Sequence, residues 1–132
     1  MSRQDVFSGN GPSEEDRAVS AAYPATSLAV RTLLGDECCT LILVGELDLA
    51  SRAKFDRALG QLKLGRARKL ILDLGDVSFM DSSGVHAVMT VKALCAEHGC
   101  ELQVARCSAP VQRLFGLTGV LDRLRLDGAL TD

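Results

Sequence analysis

The sequence predicts a single α/β domain built around a mixed β-sheet. Its 132 residues are enough for one hydrophobic core but not for two. Hydrophobic residues make up 47% and charged residues 24%, values typical of a folded globular protein. From about Leu28 onward, strand-like and helix-like stretches alternate along the chain, which is the pattern of an α/β fold. We therefore expect one folded domain, at residues 26–132.

Residues 1–25 are expected to form a flexible acidic leader. They are rich in Ser, Gly, Pro, Asp and Glu and show no hydrophobic periodicity. The segment contains two arginines and four acidic residues, so the formal net charge of −2 lies there and the domain itself is neutral.

The first half of the domain is predicted to hold two strands and a helix. Residues 28–33 read as an edge strand, and residues 40–45 form an almost wholly apolar second strand. A turn that begins at Gly35 separates them and indicates a hairpin. Ser51 is a suitable N-cap for a helix that reaches about residue 62.

The second half continues with alternating strands and helices. In chain order they are a strand at 69–74, a helix at 82–98, a strand at 101–105, a short helix from about 108, and a last short strand at 121–126. Gly99 and Gly119 follow the two helices in the position where a left-handed residue ends a helix, and Pro110 lies in the first turn of the second. The predicted order is β-β-α-β-α-β-α-β.

Composition excludes several classes of function. No apolar run approaches the ~18 residues that cross a bilayer, and the N-terminus lacks the apolar core of a signal peptide. Aromatic residues are 4%, tryptophan is absent and the net charge is negative, which argues against nucleic-acid binding. The five cysteines include no C-x-x-C pair, so we expect reduced thiols in the cytoplasm, with no metal and no cofactor.

The segment Asp81-Ser82-Ser83-Gly84 carries the main functional signal. It follows a buried strand and leads directly into a helix, and ligands of open α/β sheets collect at that end of the strands. One interpretation is a plain helix cap, since Asp81, Ser82 and Ser83 are all competent N-caps. The other is a switch, because a phosphate on Ser82 would add about −1.5 to −2 charge to an exposed loop. A separate kinase would supply that phosphate, since a serine without a positioned base is a weak nucleophile.

Four motifs together resemble the STAS domain, and more closely the bacterial anti-anti-sigma factors, also called anti-sigma factor antagonists. They are Gly45-Glu46-Leu47-Asp48, Leu72-Asp73-Leu74, Phe79-Met80-Asp81-Ser82-Ser83-Gly84 and Arg113-Leu114-Phe115-Gly116-Leu117-Thr118-Gly119. The resemblance covers roughly residues 28–127. It implies a STAS fold, with helices packed mainly on one face of the sheet and a C-terminal helix that is short or absent here.

The resemblance also implies a non-enzymatic function. Members of this family bind an anti-sigma factor, often a serine kinase of the histidine-kinase-like ATPase fold, and so release a sigma factor. The kinase phosphorylates the serine that matches Ser82 and thereby switches binding off, and a phosphatase resets it. The partner-binding positions match one aspartate in the loop after the second strand and the start of the second helix: Asp48, Asp81, Ser82, Ser83, Gly84, Val85 and His86.

His86 departs from the family, which usually has a small residue there. It can alter partner choice or make docking pH-sensitive, or it can be an exposed helix histidine without a role.

Three other functions remain open at this point. The first is a STAS scaffold that phosphorylation does not regulate. The second is a phospho-aspartate receiver, which needs a late lysine, although the lysines lie only at 54, 63, 69 and 92. The third is a small serine hydrolase with Ser82 or Ser83 as nucleophile and His86 or His98 as base, although the G-x-S-x-G pattern is missing.

Overall fold

A mixed sheet runs through the centre of the computed structural model, which describes residues 4–7, 28–62 and 64–130. Within these residues the five strands lie in sequential order. They are β1 (Gln4–Phe7), β2 (Leu28–Leu34), β3 (Cys38–Leu47), β4 (Lys69–Met80) and β5 (Glu101–Cys107). The pairs β1–β2 and β2–β3 are antiparallel, whereas β3–β4 and β4–β5 are parallel.

Helices connect and cover these strands. They are α1 (Arg52–Gly60), α2 (Ser82–Glu97), α3 (Ala109–Thr118) and α4 (Val120–Leu126), with a 3₁₀ turn at Leu64–Arg66 between α1 and β4. The predicted ends of α2 and α3 are confirmed, because Gly99 and Gly119 have φ of 68° and 80° respectively.

One face of the sheet carries the core. Along β4, Leu70, Leu72 and Leu74 are completely buried, whereas the alternating positions Ile71 and Asp73 are only half-buried. Each helix adds a fully or nearly fully buried side chain to the same apolar cluster, including Phe55 from α1, Val88 from α2, Phe115 from α3 and Leu124 from α4. Since side chains of a strand alternate between faces, the helices pack on one face. This confirms the predicted α/β class and the predicted packing of the helices mainly on one face of the sheet.

The prediction of a last strand at 121–126 is wrong, because these residues belong to helix α4. Val120 and Leu124 are buried one helical turn apart, while Leu126 is 84% exposed. Leucine and arginine favour helix over strand when packing permits both. The remaining strand-like contact of this region is an isolated bridge between Leu130 and Val104 of β5.

The N-terminal region also differs from the expectation. Strand β1 lies within the predicted leader and pairs with β2, so that Phe7 stands opposite Arg31. The sequence pattern predicts no strand at these residues. The rest of the predicted leader lies outside the described residues, so its division from the domain near residue 25 stays a prediction.

Strands β3 and β4 extend beyond their predicted ends, to Leu47 and Met80. These two residues stand opposite each other in the parallel register. Asp48 and Asp81, which follow them directly, therefore leave the sheet side by side. None of the helices among the described residues is long and apolar enough to cross a membrane.

Candidate functional site

The candidate site lies at the carboxyl edge of β3 and β4, where two loops leave the sheet together. Hydrogen bonds join the loops. Asp81 N–H donates to the carbonyl of Leu47 at 3.4 Å, and Leu49 N–H donates to Oδ2 of Asp81 at 3.3 Å. The geometry of one loop is thus tied to that of the other.

Asp81 is the N-cap of α2. Its backbone is extended, and its Oδ1 accepts hydrogen bonds from the N–H groups of Ser83 (2.8 Å) and Gly84 (3.3 Å). Of the three residues that the sequence offered as caps, the aspartate performs this role. Its carboxylate spans both loops, since Oδ1 caps the helix while Oδ2 holds Leu49.

Gly84 allows α2 to approach the sheet closely. A Cβ at this position would lie 2.3 Å from Cγ of Met80 and 2.8 Å from the carbonyl oxygen of Leu47. The residue is buried. Gly84 therefore positions the first turn of α2, and it is not itself exposed to a partner.

The other predicted site residues differ in exposure. Ser82 and His86 are exposed, whereas Asp48, Asp81, Ser83 and Val85 are half-buried. Ser82 is the first residue of α2, so its hydroxyl lies at the solvent-facing start of the helix. The structure thus brings the predicted set together at one edge, with Ser82 as its accessible hydroxyl.

Asp48 and Ser51 close the loop between β3 and α1. Asp48 Oδ1 accepts a hydrogen bond from Ser51 N–H at 3.0 Å, and Ser51 Oγ accepts one from Asp48 N–H at 3.0 Å. The Ser51 hydroxyl donates to the carbonyl of Glu46 at 2.8 Å. Ser51 occupies the N-cap position of α1, as predicted. The expectation that its side chain caps the helix is wrong, because the side chain makes no cap hydrogen bond. The loop is ordered by its own side chains, and it presents Leu49 with 76% of its surface exposed.

Arg52 is a site residue that sequence reasoning missed. Its guanidinium lies across the start of α2, where Nη1 donates to the carbonyl of Ser83 at 3.2 Å and contacts Nδ1 of His86 at 3.0 Å. On its own helix, Nε pairs with Asp56 at 2.9 Å. An arginine in the first turn of a helix is ordinary, and it is 34 residues from His86 in the chain, so no local pattern marks it.

Arg52 contacts one ring nitrogen of His86. A guanidinium only donates hydrogen bonds, so Nδ1 of His86 is the acceptor in this contact. This nitrogen is therefore occupied by an arginine and not by a serine hydroxyl. His98 lies at the opposite end of the 16-residue helix α2.

Among the residues that the structure describes, no three or more His, Cys, Asp or Glu side chains form a group that could hold a metal ion. The site combines an exposed hydroxyl, a fixed carboxylate and an ordered loop, which suits recognition by another macromolecule.

Comparison with known proteins identifies a protein family whose model matches this chain. The family model described as Mlab, STAS domain, matches residues 30–131. The anti-sigma-B factor antagonist of Staphylococcus aureus is 29% identical over 102 residues, which are 76% of this chain and 94% of the relative.

Solved structures agree in fold. An anti-sigma factor antagonist from Mycobacterium paratuberculosis superposes with a TM-score of 0.64 at 22% identity, covering 74% of this chain and 82% of the other. The antagonist SpoIIAA in its unphosphorylated form gives a TM-score of 0.57 at 24% identity, covering 80% of this chain and 87% of the other. At these identities the likeness concerns the fold alone.

Proposed function

The chain belongs to the STAS domain family, and from this we propose that it is a non-enzymatic anti-sigma factor antagonist of the cytoplasm. In this proposal it binds an anti-sigma factor through the edge formed by the Asp48 loop and the start of α2, and so releases a sigma factor. The relative from Staphylococcus aureus carries the name of such an antagonist, and its similarity extends over 94% of that protein.

The finer part of the proposal is a switch at Ser82. The anti-sigma factor is a serine kinase of the histidine-kinase-like ATPase fold that phosphorylates Ser82, and a phosphatase removes the phosphate. The observation that carries this is the exposure of Ser82 at the first position of a helix whose start is fixed by Asp81.

Charge explains how the phosphate would end binding. A phosphoserine adds about −1.5 to −2 charge. At Ser82 this charge would stand next to the Asp81 carboxylate, at an edge that also contains Asp48. A partner surface that is complementary to the unmodified edge would then meet a strong negative field, and like charges brought together at an interface oppose association.

The test begins with capture of the full-length protein and its partners from the native cytosol. Mass spectrometry identifies the anti-sigma factor and reports whether Ser82 carries phosphate. Binding of the captured anti-sigma factor is then measured for wild type, Ser82→Ala, Ser82→Asp and the neighbouring control Ser83→Ala. We expect both alanine variants to bind like wild type and Ser82→Asp to bind at least roughly tenfold more weakly, a loss of about 1.4 kcal/mol.

Two results would count against parts of the proposal. If Ser82→Asp binds like wild type and no phosphate is found on Ser82, the protein is a STAS interaction module without this switch. If no anti-sigma factor is captured, the antagonist function itself is wrong.

A further inference from the structure

Two basic side chains lie at the start of α2, and helix capping explains neither of them. The Arg52 side chain is only 19% exposed and crosses from α1 to α2. Beyond its contacts with Ser83 and His86, its Nη2 lies 3.5 Å from Oγ1 of Thr90. The guanidinium thus touches three successive turns of the face that begins next to Ser82.

His86 is directly adjacent to Ser82 on the helix surface. Residues four apart in a helix are neighbours on one face, with Cβ atoms roughly 5–6 Å apart. Helical side chains also lean toward the N-terminus, so the ring of His86 lies over the turn that contains Ser82 and Ser83. By this spacing, the Arg52–His86 contact of 3.0 Å lies on the side of α2 that His86 shares with Ser82.

We propose that Arg52 and His86 form a basic pair that responds to a phosphate on Ser82. The inference rests on the proposed phosphorylation and adds its local mechanism. A phosphate oxygen is a stronger acceptor for a guanidinium than a neutral ring nitrogen is. The phosphate therefore draws Arg52 away from Nδ1 of His86. The freed nitrogen then takes up a proton, and His86 becomes a second cation facing the phosphate.

Two carboxylates close to this pair add negative charge that a phosphate on Ser82 would have to overcome. Asp56 is paired with Arg52 at 2.9 Å on α1, and Asp81 caps α2. Both oppose a second negative charge near Ser82, so the phosphate depends on Arg52 and His86 for compensation. Since Arg52 also links α1 to α2, its movement would change the shape of the edge in addition to its charge.

The test uses the full-length protein with phosphoserine installed at position 82 during synthesis, so that no kinase is needed. Phosphorus NMR follows the pH at which the phosphate takes up its second proton. Nearby cations favour the doubly charged phosphate, so we expect this midpoint to be higher by roughly 0.5 pH unit in Arg52→Gln and in His86→Gln than in wild type. Arg57→Gln removes an exposed arginine five residues along the same helix and should match wild type.

Equal phosphate midpoints in wild type, Arg52→Gln and His86→Gln would refute the proposal that the two residues respond to the phosphate. If Arg52→Gln does not fold, His86→Gln and the nitrogen NMR signals of the His86 ring decide. Compared at one near-neutral pH, these signals should report a larger fraction of protonated Nδ1 with the phosphate than without it. An unchanged ring would overturn the inference.

Because the phosphate is installed synthetically, this result does not depend on the kinase. A phosphorylation site elsewhere would refute the proposed switch and leave the response of the pair measurable. Equal phosphate midpoints and an unchanged His86 ring would refute the basic pair but not the proposed switch at Ser82.

Discussion

Gly84 shows how a single residue can hold the site in place. It lies in a signature that is read as functional, yet its burial and the atoms around it assign it to packing. The exposed neighbour Ser82 is left to meet the solvent. Residues of one motif therefore divide into those that build the edge and those that are accessible on it.

We predict that Gly84→Ala destabilises the protein by about 2 kcal/mol, because the new methyl group would meet the backbone oxygen of Leu47, which has little freedom to move. Urea denaturation measures the change. The matched control is Gly60→Ala at the end of α1, where a Cβ meets nothing within 4 Å. That variant should be neutral or slightly more stable, because alanine favours helix. Equal effects of the two substitutions would contradict the packing role of Gly84.

Among the secondary-structure elements, α4 is the one that the local sequence pattern wrongly predicted as a strand. In a strand, Leu124 and Leu126 would share a face. In the helix they point in different directions, and Leu124 is completely buried while Leu126 is 84% exposed. The same leucines are compatible with both periods over such a short segment.

This difference yields a direct test of the element. Leu124→Ala should lower the free energy of unfolding by about 2–5 kcal/mol, the cost of an emptied core position. Leu126→Ala should change it by less than about 0.5 kcal/mol, as is usual for exposed positions. Chemical denaturation of the two variants measures both losses and shows whether the two leucines lie on different faces, as in a helix. A similar loss in both would favour the strand.

The end of α2 is specified by residues that are close together in the chain. Cys100 N–H donates to the carbonyl of Cys95 at 2.8 Å, and Gly99 N–H donates to Ala96 at 3.4 Å. Together with the positive φ of Gly99, these bonds form a Schellman motif. The motif brings the Cys95 and Cys100 side chains together inside the protein, where burial and the neighbouring thiol raise the pKa of Cys95 from 9.0 to about 12.

At the scale of the whole molecule, this buried thiol makes stability depend on alkaline pH. The pKa of Cys95 is about 12 in the folded protein, whereas the exposed thiol of the unfolded chain titrates near 9.0. Between these values the unfolded chain releases a proton that the folded protein retains. The stability that Cys95 contributes is therefore complete below about pH 9 and is lost as the pH rises toward 12.

We expect urea midpoints measured from pH 8 to pH 10.5 to fall more steeply for wild type than for Cys95→Ala. The other ionisable groups are present in both proteins, so the difference between the slopes reports Cys95 together with its effect on the neighbouring Cys100. Parallel slopes would show that the thiol is not desolvated in the folded state.

Features that depend on neighbours in the chain could be predicted from the sequence. Hydrophobic periodicity located β2 to β5 and the first three helices, and Asp81, Gly99 and Gly119 marked helix ends that the structure confirms. The ordered motifs also identified the STAS family. Each of these signals lies within a few residues, where side-chain spacing and backbone preference act directly.

Contacts between residues that are distant in the chain could be identified only from the folded structure. Asp48 and Asp81 are side by side because Leu47 pairs with Met80, a register that depends on how far two strands extend. Arg52 reaches His86 across 34 residues because α1 and α2 pack on the same face of the sheet. Such contacts arise from the packing of whole elements against a shared core, which the local pattern of residues does not specify.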